Sequence, residues 1–361
     1  MRATLRRGAR RARRGRATSV RRVSLLRPSG EPSVAIRQLS RWLEADTPAP
    51  LLIETSGSTG RPKGVVIPRR AVLASVDASA RRLGATGRWL LALPSSYVAG
   101  VQVIVRSLVA GHEPAVVDGL DVARAIEAGP AGVPTFASLV PTQLHRIVAD
   151  PVQVAALARC EAVLVGGGGL DPDVRRRAED QGVRVVATYG SSETSGGCVY
   201  DGVPLDGVGV AIGAEGRVRI SGPTLFSHYD DDPELTAECV VDGWFLTSDA
   251  GRLDADGRLE IIGRLDDVVV SGGVKIPAAA VARRLREHLL VEDAEVIGVP
   301  DAEWGQRLVA VVVGNVREAE LRDWVSLVHP RSWAPREFRW VESLPLLPNG
   351  KVDRQALRDD L

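Results

Sequence analysis

The sequence predicts an α/β protein. A large N-terminal domain built on mostly parallel sheets, with a small β unit, is followed by a small mobile α+β C-terminal domain. Three observations carry that expectation. Between residues 51 and 187, strand-like apolar runs alternate with helix-period segments, the order that produces a largely parallel sheet. From 207 to 264 the pattern changes to short strands, with an Asp254-Ala255-Asp256-Gly257 turn signal between the last two, as in an antiparallel unit. The rest, about 267–361, mixes strands and helices in a length small enough to swing as a body. A chain of 361 residues also suits two domains better than one core. The expected boundaries are a basic arm at 1–31, the large domain at 32–265 and the small domain at 266–361.

Taken in order, residues 35–44 read as a helix, leading through Thr47-Pro48-Ala49-Pro50 into a strand at 51–53. A glycine-rich loop follows, then a strand at 64–67 and a helix at 70–83. Further strands are expected at 89–93, 115–117, 161–165 and 183–187, separated by helices that include 136–149 and 173–181. In the β unit, strands are expected at 217–220, 243–247, 251–253 and 258–262. The C-terminal part reads as a helix at 278–290, strands at 294–299 and 308–313, a helix at 318–327 and a strand at 337–341.

Composition excludes several function classes. Apolar residues at 45% and charged residues at 25% are ordinary for a globular chain. The 46 basic and 45 acidic side chains nearly cancel, whereas a nucleic-acid binder shows a basic excess. The apolar stretch 98–105 is broken by glycine and glutamine, so no membrane span is expected. Three cysteines without CxxC spacing argue against a disulfide framework or a zinc site and fit a reducing, cytoplasmic setting. Residues 1–27 hold eleven arginines and no acidic residue. They resemble a transit peptide or a basic arm, or an upstream stretch read through from a misplaced start, and are expected to be disordered.

One imbalance is more informative. Of the 46 basic residues only Lys63, Lys275 and Lys351 are lysines. Where arginine substitutes so freely, a retained lysine marks a place that needs a compact ammonium on a flexible stem. Lys63 is the last residue but one of the run Thr55-Ser56-Gly57-Ser58-Thr59-Gly60-Arg61-Pro62-Lys63-Gly64. Its glycines let backbone approach an anion, its hydroxyls and amides donate, and the lysine adds charge. The spacing is not that of a Walker loop, because Pro62 stands where the second glycine belongs. A flexible Ser/Gly linker is the plainer reading, but a linker would not end in Pro-Lys-Gly between two apolar strands.

This decapeptide resembles the phosphate loop of the adenylate-forming superfamily of acyl- and aryl-CoA synthetases, adenylation domains and luciferases. Four more motifs follow in that family's order. Tyr189-Gly190-Ser191-Ser192-Glu193-Thr194 resembles its adenine and magnesium motif, and Gly243-Trp244-Phe245-Leu246-Thr247-Ser248-Asp249 the segment that holds the ribose. Gly263-Arg264-Leu265-Asp266-Asp267 resembles the hinge, and Pro348-Asn349-Gly350-Lys351-Val352-Asp353-Arg354 the tail with the catalytic lysine. The likeness runs from about residue 50 to the C-terminus.

The resemblance implies ATP, Mg²⁺ and coenzyme A as co-substrates and a small carboxylic acid as the molecule activated. ATP would lie on Thr55, Ser56, Gly57, Ser58, Thr59, Gly60 and Lys63, with Gly167, Tyr189, Gly190, Thr194, Asp249 and Arg264. Physically, Tyr189 offers a flat face to a purine, and Glu193 can hold Mg²⁺ while triphosphate oxygens complete the shell. Asp249, expected in a β turn, can accept the ribose hydroxyls, and Arg264 supplies a fixed cation. The four glycines Gly166 to Gly169 leave room for a planar ligand; Gly166, Gly168, Ser191 and Tyr97 would border the acyl pocket. Lys351 is the expected catalytic cation, with Glu193 and Lys63. By resemblance alone, Gly272, Gly273 and Lys275 line the coenzyme A channel, and Asp266 is the pivot on which the small domain turns.

Among relatives, the chain most resembles the short o-succinylbenzoate–CoA ligases of menaquinone biosynthesis. Pro141-Thr142-Gln143-Leu144, the stretch 97–102 and an abbreviated region before the phosphate loop carry this likeness. Other aryl- or acyl-CoA ligases and stand-alone amino-acid adenylating enzymes are the alternatives. The latter would offer an aspartate near the acyl pocket, and Ser95-Ser96-Tyr97 has none. A non-catalytic nucleotide-binding protein of this fold is a third, disfavoured by the joint presence of Lys63, Glu193, Asp249 and Lys351. The sequence leaves the oligomeric state open, a homodimer being one arrangement.

Overall fold

The computed structural model describes residues 24–55, 63–265, 267–347, 350 and 352–361. Its centre is a seven-stranded sheet in the order Ala115–Val116, Arg88–Leu91, Thr135–Leu139, Ala162–Val165, Val185–Ser191, Gly196–Tyr200 and Val203–Pro204. The first five strands run parallel, with Phe136 opposite Ala162 and Val163 opposite Val185; the last two return antiparallel. Along these strands successive residues alternate between two apolar cores. Trp89, Leu91, Phe136, Ala162 and Leu164 face one; Leu90, Ala137, Leu139, Val163 and Val165 face the other. A parallel sheet buried on both faces reads in sequence as an unbroken apolar run.

That property explains a correction. Residues 136–149 are not one helix. Thr135–Leu139 is a strand, and the helix is Pro141–Val148. Pro141 supplies the break: it suits a first helical turn, and the residue before it is held extended. Val140 accordingly has φ −91° and ψ 158°. Among the helices expected between the strands, Val98–Val109 was given no bounds; it is buried almost all round, including Gln102, Arg106 and Ser107, so it shows no polar face.

A second sheet is antiparallel: Leu51–Thr55, Lys63–Ile67 and His228–Tyr229, with Thr55 opposite Lys63 and Tyr229 opposite Val65. The β unit is a third, antiparallel sheet of Gly209–Ile212, Arg217–Ser221, Trp244–Leu253, Val240–Val241 and Leu259–Arg264. Here a second correction applies. The expected strands 243–247 and 251–253 are one strand, Trp244–Leu253, and Asp249 lies in its pairing with Leu259–Arg264 rather than in a turn. The register shifts between Ala250 and Gly251. A Cβ on Gly251 would come within 2.8 Å of the Glu260 carbonyl, so only glycine lets the two strands close up there.

The C-terminal part forms its own sheet, Val274–Pro277, Val268–Ser271, Gly305–Gly314 and Val291–Asp301, with Glu337–Trp340 parallel to Gly305–Gly314. Helices Ala278–Arg286 and Glu318–Ser326 cover one face. Among the described residues no helix is long and apolar enough to cross a membrane.

Candidate active site

Four connections leave the carboxyl ends of the parallel strands on one edge of the central sheet: those after Leu91, Leu139, Val165 and Ser191. Such an edge is where open α/β sheets bind ligands. Gln143 ties two of them together, its amide donating to the Ala92 carbonyl at 2.8 Å while its oxygen accepts from the Val140 amide at 3.0 Å. After Val165 comes the glycine run. A Cβ on Gly166 would lie 2.3 Å from Thr188 Oγ1, and Gly167 has φ +82°. Gly166→Ala is therefore expected to destabilise the fold by about 1–3 kcal/mol, as overpacking does. Chemical denaturation measures it, and Thr188→Ala in the same chain should recover most of the loss.

Tyr189 converges with Asp249 and Arg264 although it lies sixty or more residues before them. The Tyr189 hydroxyl donates to Asp249 Oδ2 at 2.7 Å, and Arg264 Nη1 lies 3.8 Å from Asp249 Oδ1. Asp249 and Arg264 are direct register partners. Burial, then the Asp249 carboxylate, pushes the Tyr189 hydroxyl well above the usual phenol range, so it stays a donor. The Asp249 amide donates to Thr247 Oγ1 at 3.1 Å, fixing the strand at this point.

Glu193 and Lys63 meet through a residue that sequence reasoning missed, Tyr229. Glu193 sits in the single turn Ser192–Thr194 that follows the strand Val185–Ser191. The turn is held from beneath: the Ser191 amide donates to Thr194 Oγ1 at 2.8 Å, and Thr194 Oγ1 donates to the Gly196 carbonyl at 2.8 Å. Gly190 packs so closely that a Cβ would fall 2.1 Å from the Gly196 carbonyl. The Tyr229 hydroxyl donates to Glu193 Oε1 at 2.8 Å, and Lys63 Nζ stands 5.8 Å from the Tyr229 ring centre. Burial, then Glu193, raises the Tyr229 hydroxyl, keeping it protonated. Tyrosine is one of only four in the chain; the scarcity that flagged the lysines would have flagged it too.

Cys239 shares this neighbourhood, with Tyr229, Lys63 and Glu193 about it, and is partly buried. Cys160 and Cys198 are buried, and burial pushes both thiols up to about 12. Burial raises the Cys239 thiol as well, but of the three it alone is only partly buried, and on that accessibility it is the thiol expected to react fastest with a disulfide reagent in the native protein at pH 8. Mg·ATP at ten times its Kd should slow that reaction about tenfold by occupancy; timed labelling with and without nucleotide checks this.

Other expected site residues are placed less centrally. Tyr97 caps the start of helix Val98–Val109. Gly272 and Gly273 make the turn between Val268–Ser271 and Val274–Pro277 with φ +56° and +80°. Gly272 lies against Trp304, and the exposed Lys275 lies 3.9 Å from Glu215. The tail comes to the large domain at Gly350, whose Cβ position is 2.9 Å from Val140 Cγ2 and 3.6 Å from Thr142 Oγ1. Lys351, Asp266 and the run Ser56, Gly57, Ser58, Thr59 and Gly60 lie outside the described residues.

For a divalent cation the donor chemistry fits Mg²⁺. One carboxylate, Glu193, gives one oxygen to Tyr229 and keeps the other, and Mg²⁺ takes one or two carboxylates with substrate phosphates. No group of three or more His, Cys, Asp or Glu side chains gathers as a metal site among the described residues.

Comparison with known proteins agrees with this geometry. Residues 24–229 match the AMP-binding enzyme family, and residues 281–351 match the AMP-binding enzyme C-terminal domain. A probable 2-succinylbenzoate–CoA ligase of Mycobacterium tuberculosis is 42% identical over 330 residues, covering 87% of this chain and 85% of that protein. The o-succinylbenzoate CoA synthetase of Bacillus subtilis, solved with its acyl-adenylate intermediate, superposes with a TM-score of 0.75 at 27% identity, over 86% of this chain and 69% of that one. The same enzyme solved with ATP and magnesium ion gives 0.73 at 26% identity, over 86% and 69%. With a matched nucleotide-binding region over more than half its length and this relative along most of it, the chain belongs to the AMP-binding enzyme family.

Proposed function

We propose that this chain is an ATP-dependent 2-succinylbenzoate–CoA ligase of menaquinone biosynthesis, acting in the cytoplasm. The acid's carboxylate attacks the α-phosphorus of ATP, a P–O bond to pyrophosphate breaks, and an acyl-AMP forms. The thiol of coenzyme A then attacks the acyl carbon, AMP leaves and the thiol proton is released. The observation that carries the reading is the meeting of Tyr189, Asp249 and Arg264 beside Glu193 and Lys63 at the carboxyl edge of the sheet. The mycobacterial and Bacillus relatives support the choice of acid.

Each residue then has a task. Asp249 accepts the ribose hydroxyls, with Arg264 and the Tyr189 hydroxyl holding its carboxylate in place. The Tyr189 ring lies along the purine. Glu193 would hold Mg²⁺, an ion that supplies charge neutralisation along the triphosphate. Tyr229 orients Glu193, and Lys63 neutralises the departing pyrophosphate. Gly166, Gly167 and Gly168 leave the acyl and nucleotide groups room against the backbone, with Tyr97 and Ser191 at the border. Asp266 is the pivot, and Gly272, Gly273 and Lys275 face coenzyme A once the small domain has turned. Lys351 bridges carboxylate and α-phosphate as they meet.

Pyrophosphate exchange into ATP, screened against 2-succinylbenzoate, benzoates, fatty acids and amino acids, tests the substrate. Exchange should be fastest with 2-succinylbenzoate. Faster exchange with an amino acid or a fatty acid would overturn the assignment.

A further inference from the structure

Seven charged residues form a continuous line from the small domain to the nucleotide site. Arg286 pairs with Asp293 at 3.0 Å and with Glu295 at 3.5 Å; Glu295 takes Arg354 at 2.9 Å; Arg354 also pairs with Asp267. Asp267 lies 3.9 Å from Arg264, which in turn stands 3.8 Å from Asp249. Arg354 is the link between the tail and the segment that follows residue 266.

Resting on the function proposed above, we propose that Arg354 is a positioning residue that pins the tail, three residues beyond Lys351 in the sequence, to the start of the small domain. Three features favour a geometric role over a merely stabilising one. Glu295 is almost wholly buried and already has Arg286 as a cationic partner, so a second cation is not required to neutralise it. Arg354 also opens the helix Arg354–Asp359, where the helix dipole disfavours positive charge; the position is not chosen for the helix. And the tail's other ties among the described residues are local or apolar: a bridge from Leu346 to Val352, the Asp353 amide donating to the Pro345 carbonyl at 2.8 Å, the Gly350 amide donating to the Leu347 carbonyl at 2.8 Å, Gly350 against Val140, and Leu357 in a small apolar cluster. Arg354 lies three residues beyond Lys351. A guanidinium forked between two carboxylates from different strands and loops fixes direction as well as distance.

The test uses Arg354→Met, Arg354→Lys and Asp267→Asn in the full chain. Hydrogen exchange needs no substrate: the amides of Gly350 and Asp353 should exchange at least about tenfold faster in Arg354→Met, with the sheet Val291–Asp301 and Gly305–Gly314 unchanged. In kinetics, Arg354→Met should lower kcat of pyrophosphate exchange about thirtyfold or more with KM for ATP and acid within about threefold. Thioester formation from supplied acyl-AMP should fall less than about threefold. Arg354→Lys, which can reach one carboxylate but not fork, should fall between, and serves if the methionine variant does not fold. Asp267→Asn should add little on top of Arg354→Met. Unchanged tail exchange, or an equal loss in both half-reactions, would overturn the proposal. A wild-type chain without any acid-dependent exchange would instead overturn the ligase reading, and the hydrogen-exchange result would still decide the role of Arg354.

Discussion

Lys351→Ala is expected to lose acyl-AMP formation by about 10²–10³-fold while keeping thioester formation from supplied acyl-AMP within about threefold. Adenylation brings a carboxylate up to a polyphosphate, and charge accumulates on the α-phosphoryl oxygens as the two meet. An ammonium about 4 Å away contributes on the order of 4 kcal/mol at an effective dielectric of 20, and most of that acts on the transition state. The neighbouring Gly350 abuts Val140 and Thr142 at the carboxyl edge of the central sheet. The thioester step needs no such cation, because the mixed anhydride is already reactive. Rapid-quench measurement of each half-reaction separates the two. Equal survival of both would show that the charge comes from elsewhere.

Glu193→Gln should cost adenylation a similar factor, about 10²–10³-fold, and raise the Mg²⁺ concentration needed for half-maximal rate more than about tenfold. The amide keeps an oxygen for the Tyr229 hydroxyl, now 2.8 Å from Glu193 Oε1, so the melting temperature should move by less than about 2–4 °C, the shift that 1 kcal/mol causes at this domain size. Tyr229→Phe, which frees the carboxylate to turn, should cost less than Glu193→Gln. Magnesium titrations of exchange activity, with thermal melts as control, check both. A Glu193→Gln chain with unaltered magnesium dependence would remove the residue from the metal role.

Much of this was legible in the sequence because the chemistry is carried by short runs of linked residues. Lys63 stands out by the lysine count and its glycine loop, Glu193 and Asp249 by runs that resemble the family's motifs, and the structure brings Glu193 to Lys63 and Asp249 to Arg264 and Tyr189. What escaped was set by distant packing. Tyr229 reaches Glu193 only because a two-residue strand, His228–Tyr229, pairs with Lys63–Ile67, and no local spacing announces that. Residues 136–139 form a strand buried on both faces, and a short apolar run of that kind cannot be told from a buried helix by periodicity. Val98–Val109 fails in the opposite sense, since a helix enclosed on all sides loses its amphipathic signature. Asp249 was expected in a turn because it falls between the expected strands 243–247 and 251–253; the Gly251 close approach lets one strand run through it.

The most direct measurement is the product balance of a single reaction: purified chain, Mg·ATP, 2-succinylbenzoate and coenzyme A, analysed by mass spectrometry with and without the thiol. The expected result is one AMP and one pyrophosphate for each thioester formed, with the acyl-AMP accumulating on the protein when coenzyme A is withheld. ADP and phosphate as products, or a thioester formed with no acyl-AMP trapped in the thiol-free reaction, would contradict it.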